Sequence, residues 1–278
     1  MSSSKNQRFR GKMAADKIGK VALITGSTNA ESVGYAIAKA LARNGYSIIL
    51  HGRREAAEVE PLREHIEKEY KVQAHYLCAN LLKRPEIEQL CEKIKAIYPT
   101  GVDVLVNNAG ATHHTSIEEF PPEKWDEVIA INMTAPFDLT RLLLGDMKNK
   151  GWGRIINISS VRGRSAAANS SAYTAAKHGL NGLTKSTAMS GYGTGVTCNA
   201  ICPAMIKTKF AMEVIGNSAK RLDISFEESK KRWLADLNPS GEFITSEQVA
   251  ELAAFLCSPA ADQITGAELP IDAGLWAK

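Results

Sequence analysis

The chain has no run of about 18 consecutive apolar residues, the length a membrane-crossing helix requires. It has no Cys-x-x-Cys pair either. Cys78, Cys91, Cys198, Cys202 and Cys257 are scattered and odd in number, which does not suit a disulfide framework. That usage fits a reducing, cytosolic-type compartment. Internal repeats and a second domain are absent from the pattern, and no metal site is assigned. Charge of one sign is missing from most of the chain. The formal net charge is +4, but Lys5, Arg8, Arg10, Lys12, Lys17 and Lys20 face only Asp16 within residues 1–20, so the rest stands at −1. A nearly neutral body argues against a nucleic-acid surface. Residues 1–17 read as a disordered basic tail. The alternative is a mitochondrial presequence, which would move the expected location from cytoplasm to mitochondrion.

What is present is an alternation. The 278 residues are 44% apolar, and one α/β domain of roughly 250 residues can absorb such a length. Val21–Thr25, Ser47–His51, Val72–Cys78, Val104–Asn107, Arg154–Ser159, Val196–Ile201 and Ala267–Ile271 read as strands, several of them short continuous apolar runs as expected for strands buried on both faces. Between them lie helical patterns at Val33–Asn44, Glu55–Tyr70, Pro85–Ile97, Glu123–Lys148, Ser170–Ser190 and Ser246–Ser258. Strict β-α alternation predicts one doubly wound parallel sheet of about seven strands, with helices on both faces, over residues 18–278. Residues 205–240 interrupt the alternation with two amphipathic pieces. An insertion after a strand's carboxyl end lies where open α/β sheets bind ligands, so it reads as a substrate lid.

Two places carry chemistry. After the first strand comes Gly26-Ser27-Thr28-Asn29-Ala30-Glu31-Ser32-Val33-Gly34. A glycine turn between strand and helix aims free N–H groups at a phosphate. The second strand ends in His51-Gly52-Arg53-Arg54, with no acid to receive a ribose 2′-OH. Arg53 and Arg54 can instead grip a 2′-phosphate through forked donors, which predicts NADP(H), with NAD(H) as the alternative. The other place is Tyr173-Thr174-Ala175-Ala176-Lys177. Residues i and i+4 share a helix face. A cation beside a phenol lowers its pKa of about 10, which suits acid–base work on a carbonyl or carbinol.

Together with Asn107-Asn108-Ala109-Gly110, Asn132, Ser160, Pro203 and Thr208, these motifs resemble the classical short-chain dehydrogenase/reductase family over residues 18–276. Within it, the likeness is greatest to bacterial-type D-3-hydroxybutyrate dehydrogenases. The resemblance implies a Rossmann-type fold with Tyr173 as acid/base. Lys177 would tune Tyr173 and hold the nicotinamide ribose, Ser160 would bond the substrate oxygen, and Asn132 would anchor a proton relay. It sets Asn108, Ala109 and Gly110 on the adenosine side and Thr208 on the carboxamide. Ser27, Thr28, Ser32, Val33, Asn80, Leu81, Pro203, Ala204 and Ile206 fall around the cofactor. It also implies a homotetramer or homodimer built on the two long helices Glu123–Lys148 and Ser170–Ser190.

Departures from the family pattern bear on the substrate. The glycine loop is two residues longer than usual and resembles that of enoyl-carrier-protein reductases. Asn80 stands in place of an Asp, and Ala204 in place of a Gly. The polar clamp of hydroxybutyrate dehydrogenases becomes Thr112, Arg162, Ser170 and Val214, and the pocket Trp becomes Met205. Arg162 can still hold a carboxylate through two donors. The expectation is an NADP(H)-dependent reductase interconverting a ketone and a secondary alcohol. The alternatives are an NAD-dependent 3-hydroxybutyrate dehydrogenase, a 3-oxoacyl thioester reductase, and a catalytically silent dinucleotide-binding regulator.

Overall fold

The computed structural model describes residues 19–277, so the expected N-terminal tail lies outside the described residues. The strands are β1 (Val21–Thr25), β2 (Ser47–Gly52), β3 (Ala74–Cys78), β4 (Val104–Asn107), β5 (Gly153–Ile158), β6 (Val196–Pro203) and β7 (Glu268–Ile271). They form one parallel sheet in the order β3-β2-β1-β4-β5-β6-β7. Successive strand residues point to opposite faces, and here both faces are covered. Ala22, Ile24, Ile48, Leu50, Val104 and Val106 enter one core, while Leu23, Ile49, Leu105 and Ile155 enter the other.

The first core is covered by α1 (Val33–Arg43), α2 (Ala56–Tyr70) and, near the carboxyl end of the chain, the helix Ser246–Leu256. The second is covered by α3 (Arg84–Ile97) and, beyond the short α4 (Pro122–Ile129), by α5 (Ala135–Asn149) and α6 (Ser171–Ser190). After β6 come α7 (Lys209–Leu222) and α8 (Phe226–Leu237), the expected helical insertion. Asn238 closes its base. Its amide bonds both backbone groups of Met205 and the carbonyl of Glu242, beside a bridge between Ile206 and Ile244. The helix Ser246–Leu256 that follows, α9, is started by a capping box of Thr245 and Gln248.

The predicted helix Glu123–Lys148 is not continuous α-helix. Between α4 and α5, Ala130–Thr134 widens into a π turn. Asn132 fills the bulge, its Nδ2 donating to the carbonyls of Val128 (2.9 Å) and Ala111 (2.7 Å). π turns concentrate at functional sites because they re-aim one side chain. Among the described residues this segment, Pro122–Asn149, is also long and apolar enough to cross a membrane. A search for an unbroken apolar run misses it because Asp138 and Arg141 interrupt it. Its Leu139, Leu143 and Met147 are buried against the sheet, which accounts for the apolarity.

Candidate active site

The carboxyl ends of the strands open onto one continuous cleft. Its nucleotide half starts where β1 ends. Gly26 turns with φ +66°, and a Cβ there would lie 3.0 Å from Ala109 Cα. The amide of Asn108 clasps this turn by donating to the carbonyls of Thr25 (2.8 Å) and Gly26 (3.0 Å). The lengthened loop is pinned by Ser32, which caps α1 by accepting from Tyr35 N (3.1 Å) and donates to Asn29 O (2.7 Å). The N-terminus of α1, with its unpaired N–H groups and positive dipole end, thus faces the cleft.

This half is a cavity of about 580 Å³. Gly26, Thr28, Ser32 and Val33 form one wall, Asn108, Ala109 and Gly110 the floor, and Arg53 and Leu81 the far end. A Cβ on Gly52 would meet Thr28 at 2.6 Å, so the wall is cut back to backbone there. Two buried acceptor-capable atoms without partners, His51 Nδ1 and Asn132 Oδ1, belong to residues lining the cleft. The shape, the helix terminus and the spare polar atoms fit a nicotinamide adenine dinucleotide.

Four expected cofactor residues do not line the cleft. Ser27 is fully buried, donating to Ile24 O and accepting from His51 N, so it ties β1 to β2. Gly34 lies beneath the turn, where a Cβ would meet Gly26 O and Asn108 Nδ2 at 2.5 Å each. Asn80 turns its side chain back onto Leu82 N. Arg54 is exposed and lines neither half. Conversely, two acids line the cavity: Glu31, within the glycine loop, and Glu127, near Arg53, which nothing in its sequence surroundings marks. Lys124 beside Glu127 holds that carboxyl below its usual range, and Arg53 and His113 add to the effect.

Tyr173 sits where the nucleotide half meets a second cavity of about 710 Å³. Lys177 is one turn further along α6. Its Nζ donates to Ile158 O (2.8 Å) and lies 5.4 Å from the Tyr173 ring centre. Burial pushes the Lys177 ammonium down to about 8. Ser160 caps a short turn, Val161–Gly163, accepting from Arg162 N (3.1 Å), and its hydroxyl also bonds the Tyr173 phenol. Burial raises the Tyr173 pKa, opposed by the Ser160 bond and the Arg162 charge. The group expected to hold the phenol down was Lys177. Ser160 and Arg162 oppose burial instead, with the Lys177 ammonium directed at the Ile158 carbonyl.

The second cavity brings together every expected substrate residue: Thr112, Arg162, Ser170, Met205 and Val214. Asn132, Ser160, Lys177, Pro203, Ala204, Ile206 and Thr208 line it too. Thr208 also caps α7, and Phe210 reaches both halves. Arg162 is half-buried rather than solvent-facing. Its Nη1 donates to Ala166 O (2.7 Å) and Ser165 Oγ (3.3 Å), which fixes the guanidinium. Trp233 and Leu237 of the insertion, and His114 bonded to Thr112 (3.0 Å), complete a largely apolar wall. Trp233 was not legible in the sequence, because the packing angle of α8 decides which face looks inward.

A family model described as short chain dehydrogenase matches residues 20–218. Over 256 residues the chain is 43% identical to the D-beta-hydroxybutyrate dehydrogenase of Cupriavidus necator, covering 92% of this chain and 97% of that protein. It is 39% identical to the protein of the same name from Rhizobium meliloti, covering 93% and 99%. The crystal structure of an actinorhodin polyketide ketoreductase with NADPH superposes with a TM-score of 0.84 at 33% identity, covering 92% and 97%. With a Tyr–Lys–Ser–Asn cluster at the mouth of a dinucleotide-shaped cleft and a match of this extent, the chain belongs to the short-chain dehydrogenase family and is an NAD(P)-dependent oxidoreductase.

Proposed function

We propose that the protein interconverts a 3-oxo acid and the corresponding 3-hydroxy acid, with NADP(H) preferred over NAD(H). The observation that carries this reading is Arg162, a guanidinium fixed by its own loop, in the wall of a largely apolar cavity and close enough to Tyr173 to act on its pKa. It suits a carboxylate two bonds from the reacting carbon, the spacing of the hydroxybutyrate dehydrogenases that this chain resembles. Met205 in place of the pocket Trp, and Val214 in place of a polar partner, leave room for an acyl chain.

When bound, the cofactor supplies or accepts the hydride. The chain's own residues handle the rest. In reduction, Tyr173 gives its phenolic proton to the carbonyl oxygen as the carbon gains the hydride. Ser160 holds that oxygen and the phenol. Lys177 would hold the ribose and supply positive charge to the phenolate left behind, and Asn132 would anchor the proton relay. The preference for the 2′-phosphate rests on Arg53 at the far end of the nucleotide half. Glu31 and Glu127 oppose it.

A second reading, reduction of a 3-oxoacyl thioester, is favoured by the ketoreductase likeness. The deciding experiment is kcat/KM for acetoacetate, 3-oxohexanoate and acetoacetyl-CoA, each with NADPH and NADH. Free acids should turn over faster than the thioester, and Arg162→Ala should raise KM for the acids about tenfold or more, the size of one lost charged hydrogen bond. A thioester preference that survives Arg162→Ala would replace the first reading with the second.

A further inference from the structure

A buried polar cluster outside the cleft grips the turn that carries Ser160 and Arg162. Asn181 lies on α6, one turn beyond Lys177, and is 3% exposed. Its Nδ2 donates both to Gly163 O (3.2 Å) and to Glu268 Oε2 (2.9 Å). Glu268 opens β7 with its side chain only 10% exposed, and its other oxygen receives Lys185 Nζ (2.5 Å). Arg164, the residue after the turn, approaches the same carboxylate at 3.6 Å and stacks on Trp276 at 4.7 Å. Gly163 leaves no slack, since a Cβ there would lie 2.5 Å from Asn181 Nδ2 and 3.0 Å from Ser159 Oγ.

The turn's inner bonds pass this grip to the cleft. Gly163 N donates to Ser160 O (2.9 Å), and Ser160 Oγ accepts from Arg162 N (3.1 Å). The position of the Gly163 carbonyl therefore sets where the Ser160 hydroxyl and the root of Arg162 stand. A neutral amide shared between a carbonyl and a carboxylate is held more firmly than a plain amide–carbonyl bond, because hydrogen bonds to an ionised group are the stronger kind.

We propose that Glu268, acting through Asn181, is a positioning residue for Ser160 and Arg162, coupling β7 and the catalytic helix to the substrate half of the cleft. It touches neither substrate nor cofactor. The inference rests on the reading of Arg162 and Ser160 as substrate-binding groups, and two readouts keep the ideas apart. The first is amide hydrogen exchange of the NADPH-loaded full chain. In Asn181→Val and in Glu268→Ala, the segment 160–166 should exchange about tenfold faster, as expected for the loss of one buried hydrogen bond, while β1 and α1 stay at wild-type rates. Glu268→Gln keeps an acceptor for Asn181 and should restore most of the protection. The second readout is kinetic, with acetoacetate and 3-oxohexanoate as probes. KM should rise about tenfold in Asn181→Val and Glu268→Ala with kcat reduced less, while the NADPH Kd stays within about twofold. Unchanged exchange over 160–166 in both variants overturns the proposal, whatever the kinetics. So does an NADPH Kd that rises in step with KM, which would mark general loosening. If the wild type turns over neither probe, the reading of the substrate fails while the exchange data still decide this one.

Discussion

At the scale of single residues, burial decides what Tyr173 and Lys177 cost and what they do. Tyr173→Phe removes the proton donor and keeps the ring, so turnover should fall by roughly 10²–10⁴ with NADPH binding retained. Near wild-type turnover would remove Tyr173 from the mechanism. Lys177 makes a sharper case. Its ammonium is held at about 8 against an ordinary value of 10.5, so the unfolded chain binds more protons than the folded one between those pH values. Stability of the cofactor-free protein should therefore rise as pH climbs from 8 to 10.5. Below that window the buried charge costs about 3 kcal/mol, against about 1 kcal/mol for its bond to Ile158 O. The first is larger, so Lys177→Met should raise the Tm at pH 7, flatten its rise through the window, and nearly abolish activity. A lower Tm at pH 7 would mean the Ile158 bond outweighs desolvation.

At the scale of elements, the junction of β1 and α1 is the least forgiving place in the chain. An added Cβ at Gly34 would meet Gly26 O and Asn108 Nδ2 at 2.5 Å. Backbone oxygen cannot swing aside, so α1 must shift, at a cost of about 1–3 kcal/mol for overpacking. Gly34→Ala should weaken NADPH binding by at least about tenfold in a fluorescence titration. Gly182→Ala on α6, with nothing within 4 Å, should leave binding alone and stabilise by roughly 0.5–1 kcal/mol. Equal Kd values for Gly34→Ala and wild type would show that α1 moves freely. The inner strands β1, β2, β4, β5 and β6 were legible because both their faces are buried, while the half-buried edge strands β3 and β7 were legible from the β-α alternation; all fell within one or two residues. Tyr173, Lys177, Ser160 and Arg162 were legible because their spacing places them at one strand end and one helix turn. The π turn was not, since one extra residue per turn leaves composition and apolar spacing nearly unchanged. Nor were the linings by Glu127 and Trp233 or the inward turn of Ser27, which depend on how a helix or loop rotates against its neighbour.

For the whole molecule, the long segment α4–α5 is apolar on more than one side. Leu139, Leu143 and Met147 face the sheet, while Trp125 and Phe137 remain 39% and 43% exposed. On α6, Met189 is 65% exposed although Leu180 and Ala188 of the same helix are buried. A helix with apolar residues on several faces needs partners on several faces, and the sheet and neighbouring helices of the described chain leave Trp125, Phe137 and Met189 exposed. We therefore expect a homodimer or homotetramer assembled on these helices, with a stable contact burying on the order of 1,200–2,000 Å² in total. Sedimentation velocity at micromolar concentration should give a dimer or tetramer. Phe137→Glu places a charge on the outer face, away from both halves of the cleft, and should lower the assembly state while leaving the NADPH Kd of the dissociated chain within about threefold. A wild type that sediments as a monomer would show that this apolar face is tolerated in water, and the assembly would be withdrawn.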